Sequence, residues 1–169
     1  MTPAESRDRT LPEGAERDTF AALVIRTDFA DDASWKTVIE ELQRPWGPSG
    51  EFPAHVHVID APAWSGATAE QVLAVAGDDD HLSVVFLADR HTMESPVRAL
   101  LALTTFWEDE EDLDPVYYQE LAASPGPREF RTVPTAVHEI HANLTLGNMD
   151  FAEFAEAASA TPDQVLRPV

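Results

Sequence analysis

Two stretches of this sequence leave little freedom in the choice of fold. Phe20-Ala-Ala-Leu-Val-Ile-Arg-Thr27 and Leu82-Ser-Val-Val-Phe-Leu-Ala88 are short, nearly continuous apolar runs. A strand reads this way when both of its faces are covered, which places it at the centre of a sheet layered between helices. The residues between the two runs agree. Asp28 to Asp32 leads into Trp35, Val38, Ile39 and Leu42, spaced i, i+3, i+4, i+7, an amphipathic helix with Asp31 or Asp32 as N-cap and Pro45 as its stop. A turn-rich connection, Trp46 to Pro53, precedes His55-Val-His-Val-Ile59, whose alternation suits a half-exposed edge strand closed by Asp60. Thr68 and Gln71 fit a capping box, and Val72, Leu73 and Ala76 continue a second helix towards Gly77.

Beyond Ala88, Ser95 as N-cap and Pro96 at the first helical position predict a third helix carrying Val97, Leu100, Leu101 and Thr104. Glu129 to Val133 predicts a fourth strand. A helix from Thr135 carries Val137, Ile140, His141 and Leu144 to Gly147, and Asp150 with Glu153 starts another bearing Phe151, Phe154, Ala155 and Ala158. Strands alternating with helices are βαβ units. The expectation is an α/β three-layer sandwich with a four-stranded, mainly parallel sheet in the order 2-1-3-4 and helices on both faces.

At 169 residues the chain has room for one domain with loose ends. The expected organisation is a flexible tail over 1–18, an α/β domain over 19–160 with an acidic insertion at 107–127, and a trailing segment over 161–169. The N-terminal residues lack the apolar core of a signal peptide and no run reaches the ~20 apolar residues of a membrane span, so a cytoplasmic protein is expected. There is no cysteine, which removes disulfides and thiol chemistry together.

The segments Val24-Ile-Arg-Thr-Asp-Phe-Ala-Asp-Asp-Ala-Ser-Trp35, Phe86-Leu-Ala-Asp-Arg90 and Asn143-Leu-Thr-Leu-Gly-Asn-Met-Asp-Phe-Ala-Glu-Phe154 resemble a family of uncharacterised domains from high-GC bacteria. The resemblance covers roughly residues 20–160 and implies a bacterial domain without naming catalytic residues. The acidic insertion at 107–127 departs from the family pattern.

In an open parallel sheet, ligands bind outside the carboxyl ends of the strands. That rule selects Asp28, Asp31 and Asp32 after the first strand, Asp60 after the second, and Asp89 and Arg90 after the third. Two readings compete: an acidic pocket for a divalent cation, or helix caps and turn residues, for which Asp is favoured in any case. The acidic pair, Asp89 and Thr132 are similar in layout to receiver domains, but the sole lysine, Lys36, lies in the first helix. His55 with His57, and His138 with His141, are pairs without a third ligand at fixed spacing; His138-Glu139-Ile140-His141 puts its second histidine one position too early for a zincin helix. No nucleophile elbow, phosphate loop or dinucleotide fingerprint is present, and no cofactor is expected.

Against 11 Lys and Arg stand 31 Asp and Glu, a formal charge of −20. Such a balance repels nucleic acid and anionic membranes and attracts basic proteins. The charge is concentrated: Glu108, Asp109, Glu110, Glu111, Asp112 and Asp114 follow Trp107 with no basic residue among them, and Tyr117 and Tyr118 follow. Charge to steer and aromatic rings to hold suit a protein interface, while a solvated loop is the plainer reading. The expected function is a non-catalytic acidic module of immunity, antitoxin or regulatory adaptor type that docks a basic protein. The alternative is a small metal-dependent hydrolase or phosphotransfer-related enzyme using the carboxylates at the strand ends.

Overall fold

The computed structural model describes residues 21–47, 49–76, 82–105 and 128–168. Six strands form one sheet in the order β2-β1-β3-β4-β5-β6: β1 Ala22–Arg26, β2 Val56–Ile59, β3 Val84–Ala88, β4 Leu100–Thr104, β5 Glu129–Thr132 and β6 Val165–Leu166. Pairs β2/β1, β1/β3 and β5/β6 are parallel, whereas β4 is antiparallel to both β3 and β5. Five strands therefore share one direction and β4 alone is reversed.

The apolar runs behave as their patterns require. Every residue of β1 and of β3 is buried, and alternate side chains divide between two cores. Ala22, Val24, Val84, Phe86, Ala88, Leu100 and Ala102 face one layer; Leu23, Ile25, Val85, Leu87, Leu101 and Leu103 face the other. The first layer is roofed by helix α1 (Asp32–Leu42), α4 (Val137–Leu146) and α5 (Phe151–Ser159), through Trp35, Val38, Leu42, Ile140, Phe154 and Ala158. The second is roofed by the 3₁₀ turn Pro62–Trp64 and α2 (Ala69–Ala76), through Trp64, Val72 and Ala76. β2 is half-buried along its length and lies at the sheet edge.

Local signals hold where side chains close them. Asp31 caps α1, accepting from the Ser34 amide at 3.0 Å and the Ser34 hydroxyl at 2.6 Å. Thr68 and Gln71 exchange hydrogen bonds at the start of α2, and Asp150 with Glu153 does so at α5. His138, buried in α4, donates from Nε2 to the Leu42 carbonyl at 2.7 Å, satisfying an end carbonyl of α1. Burial pushes its imidazole below the ordinary histidine range, with the Leu42 carbonyl acting the other way.

The expected four-stranded, mainly parallel sheet is corrected in two places. The predicted third helix is a strand: Leu100–Thr104 enters the sheet as β4, between β3 and the strand over Glu129–Thr132. Ser95, read as an N-cap, instead closes the short helix α3 (Arg90–Glu94), its amide donating to the His91 carbonyl. A fully buried Leu-Leu-Ala-Leu run carries no period that separates strand from helix, and the reversal at Arg98, with φ of +53°, lets the chain turn back along β3. The second difference lies within 161–169, expected to trail across the surface. There Val165 and Leu166 are buried and pair with Arg131 and Thr132, and the sheet is six-stranded and mixed.

Candidate functional site

The shared direction of five strands puts their carboxyl ends on one rim, where β1 delivers Asp28, Asp31 and Asp32, β2 delivers Asp60, and β3 delivers Asp89 and Arg90. Two arginines organise this rim. Arg26, the last residue of β1, is only 5 % exposed. Its side chain shares the parity of Ala22 and Val24 and so lies on the α1 side of the sheet. It donates to the Asp32 carboxylate at 2.7 Å, to Asp60 at 3.4 Å and to the Asp28 carbonyl at 2.9 Å. Its guanidinium stands 4.4 Å from the Phe29 ring centre and 5.1 Å from that of Trp35, a stacking that suits a weakly hydrated planar cation. The Trp35 indole N–H donates to Asp60 at 3.0 Å, so α1, β1 and the end of β2 are tied at one point.

The second arginine, Arg131 on β5, pairs in register with Leu101 and therefore lies on the opposite side. It grips Asp89 with two parallel bonds of 2.8 and 2.9 Å. Asp89 also caps α3, accepting from the Thr92 amide and hydroxyl, both at 3.0 Å. Burial raises the Asp89 carboxyl, but the Arg131 bonds and charge outweigh it and hold the group below the usual carboxylate range. Asp31 is lowered too, by its Ser34 bonds.

The rim carboxylates predicted as a pocket are thus brought to one edge and then divided. Asp32 and Asp60 answer Arg26; Asp89 answers Arg131 across the sheet; Asp31 caps α1; Asp28 accepts from the Ala30 amide at 2.9 Å in a local turn. Arg90 points away into an exposed pair with Glu94. Among the described residues, no three His, Asp or Glu side chains stand together as metal ligands would. Neither Arg26 nor Arg131 stands out in the sequence as a site residue. For Arg26 the available signal was a lone arginine ending an otherwise apolar strand, a cation that burial obliges to find partners, whereas the polar strand Glu129–Thr132 gave none for Arg131.

Trp107, Glu108, Asp109, Glu110, Glu111, Asp112, Asp114, Tyr117 and Tyr118 lie outside the described residues. Their flanks are placed. The Thr105 amide donates to the Ser83 carbonyl and its hydroxyl to the Leu82 carbonyl, while the Arg128 carbonyl accepts from the Thr104 amide. Both ends of the connection therefore sit at the rim where β3 and β5 begin, opposite the carboxylates.

A cleft of about 350 Å³ opens elsewhere, between the turn after α1 and the half-buried polar side of α4 with the 3₁₀ turn Pro134–Ala136 before it, walled by Arg44, Trp46, Phe52, Thr135, Glu139 and Asn143. No metal-binding or nucleophilic spacing marked it in the sequence. The cue was a polar series at every fourth residue, Thr135, Glu139 and Asn143, along a helix whose other face is apolar.

These features define an α/β domain with a mixed six-stranded sheet, three of whose rim carboxylates, Asp32, Asp60 and Asp89, pair with arginine. The chain belongs to a family described as a domain of unknown function (DUF6924), whose model matches residues 21–169. No curated protein matches it.

Proposed function

We propose that this domain is a non-catalytic binding module that docks a basic protein, with residues 107–121 as the principal contact. The observation that carries this reading is the engagement of the rim. Asp32, Asp60 and Asp89, where an α/β enzyme of this layout would gather its metal or general base, are held by Arg26 and Arg131. Removing both Asp32 and Asp60 from Arg26 would leave a guanidinium only 5 % exposed without an ion pair, and removing Asp89 would break the paired bonds of Arg131, so both steps are unfavourable. The acidity left for interaction is the surplus, and six of the acidic residues are packed between Glu108 and Asp114. Charge of that density raises the encounter rate with a cationic surface and makes binding salt-sensitive.

The test is affinity capture by the full chain and by a variant lacking 107–121, at low and high salt, with captured proteins identified by mass spectrometry. The expected result is a discrete set of basic proteins held by the full chain at low salt and released at high salt or by the deletion, with circular dichroism unchanged. Equal capture by the deletion variant sinks the assignment of the contact. The metal-dependent alternative is reached by calorimetry with Mg, Mn, Ca and Zn: stoichiometric binding that Asp89→Asn abolishes would replace the docking reading.

A further inference from the structure

The turn after α1 is built as a fixed aromatic wall. Trp46 and Phe52 exchange both backbone hydrogen bonds, at 2.9 and 3.0 Å, and their rings lie 4.9 Å apart at 36°. Gly47 makes this possible. Its φ is +99°, and a Cβ there would stand 2.6 Å from the Phe52 ring, so any other residue would displace that ring. Phe52 is nevertheless 45 % exposed. A ring fixed by its backbone and left in water contributes little to a core, and exposed fixed rings are a means of recognition.

The rest of the cleft is rich in acceptors. Thr135, Glu139 and Asn143, four residues apart, line the cleft. Asn143 donates its Nδ2 to the Glu139 backbone carbonyl at 2.9 Å, which leaves the amide oxygen as its acceptor. Among the ion pairs of the described residues, Glu139 forms none. A carboxylate, an amide oxygen and a hydroxyl thus line the same cleft as the two aromatic rings, on a molecule of charge −20.

We propose that this cleft takes the guanidinium of an arginine side chain presented by the partner, an inference that rests on the docking reading above because it requires that partner to be basic. Guanidinium is the cation that uses both walls. Its plane stacks on Trp46 and Phe52, and its five donors, more than an ammonium carries, answer Glu139, Asn143 and Thr135. An anion would meet Arg44 on the near wall but would face Glu139 and the field of the whole molecule. Arg44 opposes the entering cation, and its neutralisation should tighten binding.

The experiment uses the ¹⁵N-labelled full chain, titrated with Nα-acetyl-arginine amide, Nα-acetyl-lysine amide and Nα-acetyl-norleucine amide at matched ionic strength. The arginine amide is expected to shift the Trp46 indole and Asn143 side-chain resonances, binding about 3-fold or more tighter than the lysine amide, with the norleucine amide inert. Glu139→Gln, which preserves shape at a half-buried position, should weaken it by about 5-fold, and Trp46→Leu by a similar factor. Arg44→Gln should strengthen it by about 2-fold. Arginine no better than norleucine, affinity unchanged in Glu139→Gln, or shifts scattered over the acidic surface would each overturn the proposal. The docking reading fails separately. A Trp46→Leu chain that ignores arginine amide yet keeps its salt-sensitive partner overturns the proposal alone, while equal capture without 107–121 counts only against the acidic contact.

Discussion

Arg26 shows how a single buried cation organises a rim. Its guanidinium stands over the Phe29 and Trp35 rings and reaches two carboxylates, one of them, Asp32, 90 % exposed. The exposed partner adds little, because water already serves it. The stem, the ring stacking and the bond to the Asp28 carbonyl therefore account for most of the effect. Arg26→Ala should destabilise by about 3 kcal/mol in urea unfolding and Arg26→Met by about half as much, since the methionine refills the space. A loss below about 0.5 kcal/mol for the alanine variant would contradict this assignment. At Asp89 the prediction concerns pH. The folded-state pKa is depressed, so its contribution is present above the unfolded value of ~3.9 and is lost as pH falls through the folded one. Asp89→Asn should leave a shallower acid limb in a plot of stability against pH below ~4, and a limb of unchanged slope would show that the Arg131 pair has no such role.

At the scale of elements, β6 is the smallest piece with a measurable role. It comprises two residues, yet Leu166 is buried beside Phe130 and Phe154, and its carbonyl accepts from the Val133 amide at 3.0 Å and the Thr132 hydroxyl at 3.3 Å. Leu166→Ala should cost about 2 kcal/mol, read from the urea midpoint; a neutral result would mean that β6 is not part of the cooperative unit. No sequence window announces so short a strand, because its burial comes from what α5 and β5 place around it. β1, β3, α1 and the capped starts of α2 and α5 were legible, since each is fixed by residues within a few positions of itself. β4 was not, because leucines suit helix and strand alike and the reversal at Arg98 is a glycine-like conformation adopted by a non-glycine residue. The rim was legible as a list of acids and illegible as a site. The partners that divide those acids, Arg26 and Arg131, come from strands more than a hundred residues apart in sequence.

For the whole molecule, the reversal of β4 sets the two acidic regions of the sequence at opposite rims of the sheet. The arginine-bound carboxylates occupy the rim where the parallel strands end, and the ends of the acidic connection leave from the rim where they begin. The same arrangement fixes how the domain would respond to force. β1 enters at one rim and β6, running in the same direction, leaves at the other, so tension applied through the two ends pulls along the strands and not across them. The β1/β3 ladder would then be sheared, its hydrogen bonds resisting together, while β5/β6, with two residue pairs in register, would slip first. Stretched end to end, the domain would therefore yield in steps, releasing its C-terminal strand before its centre gives way.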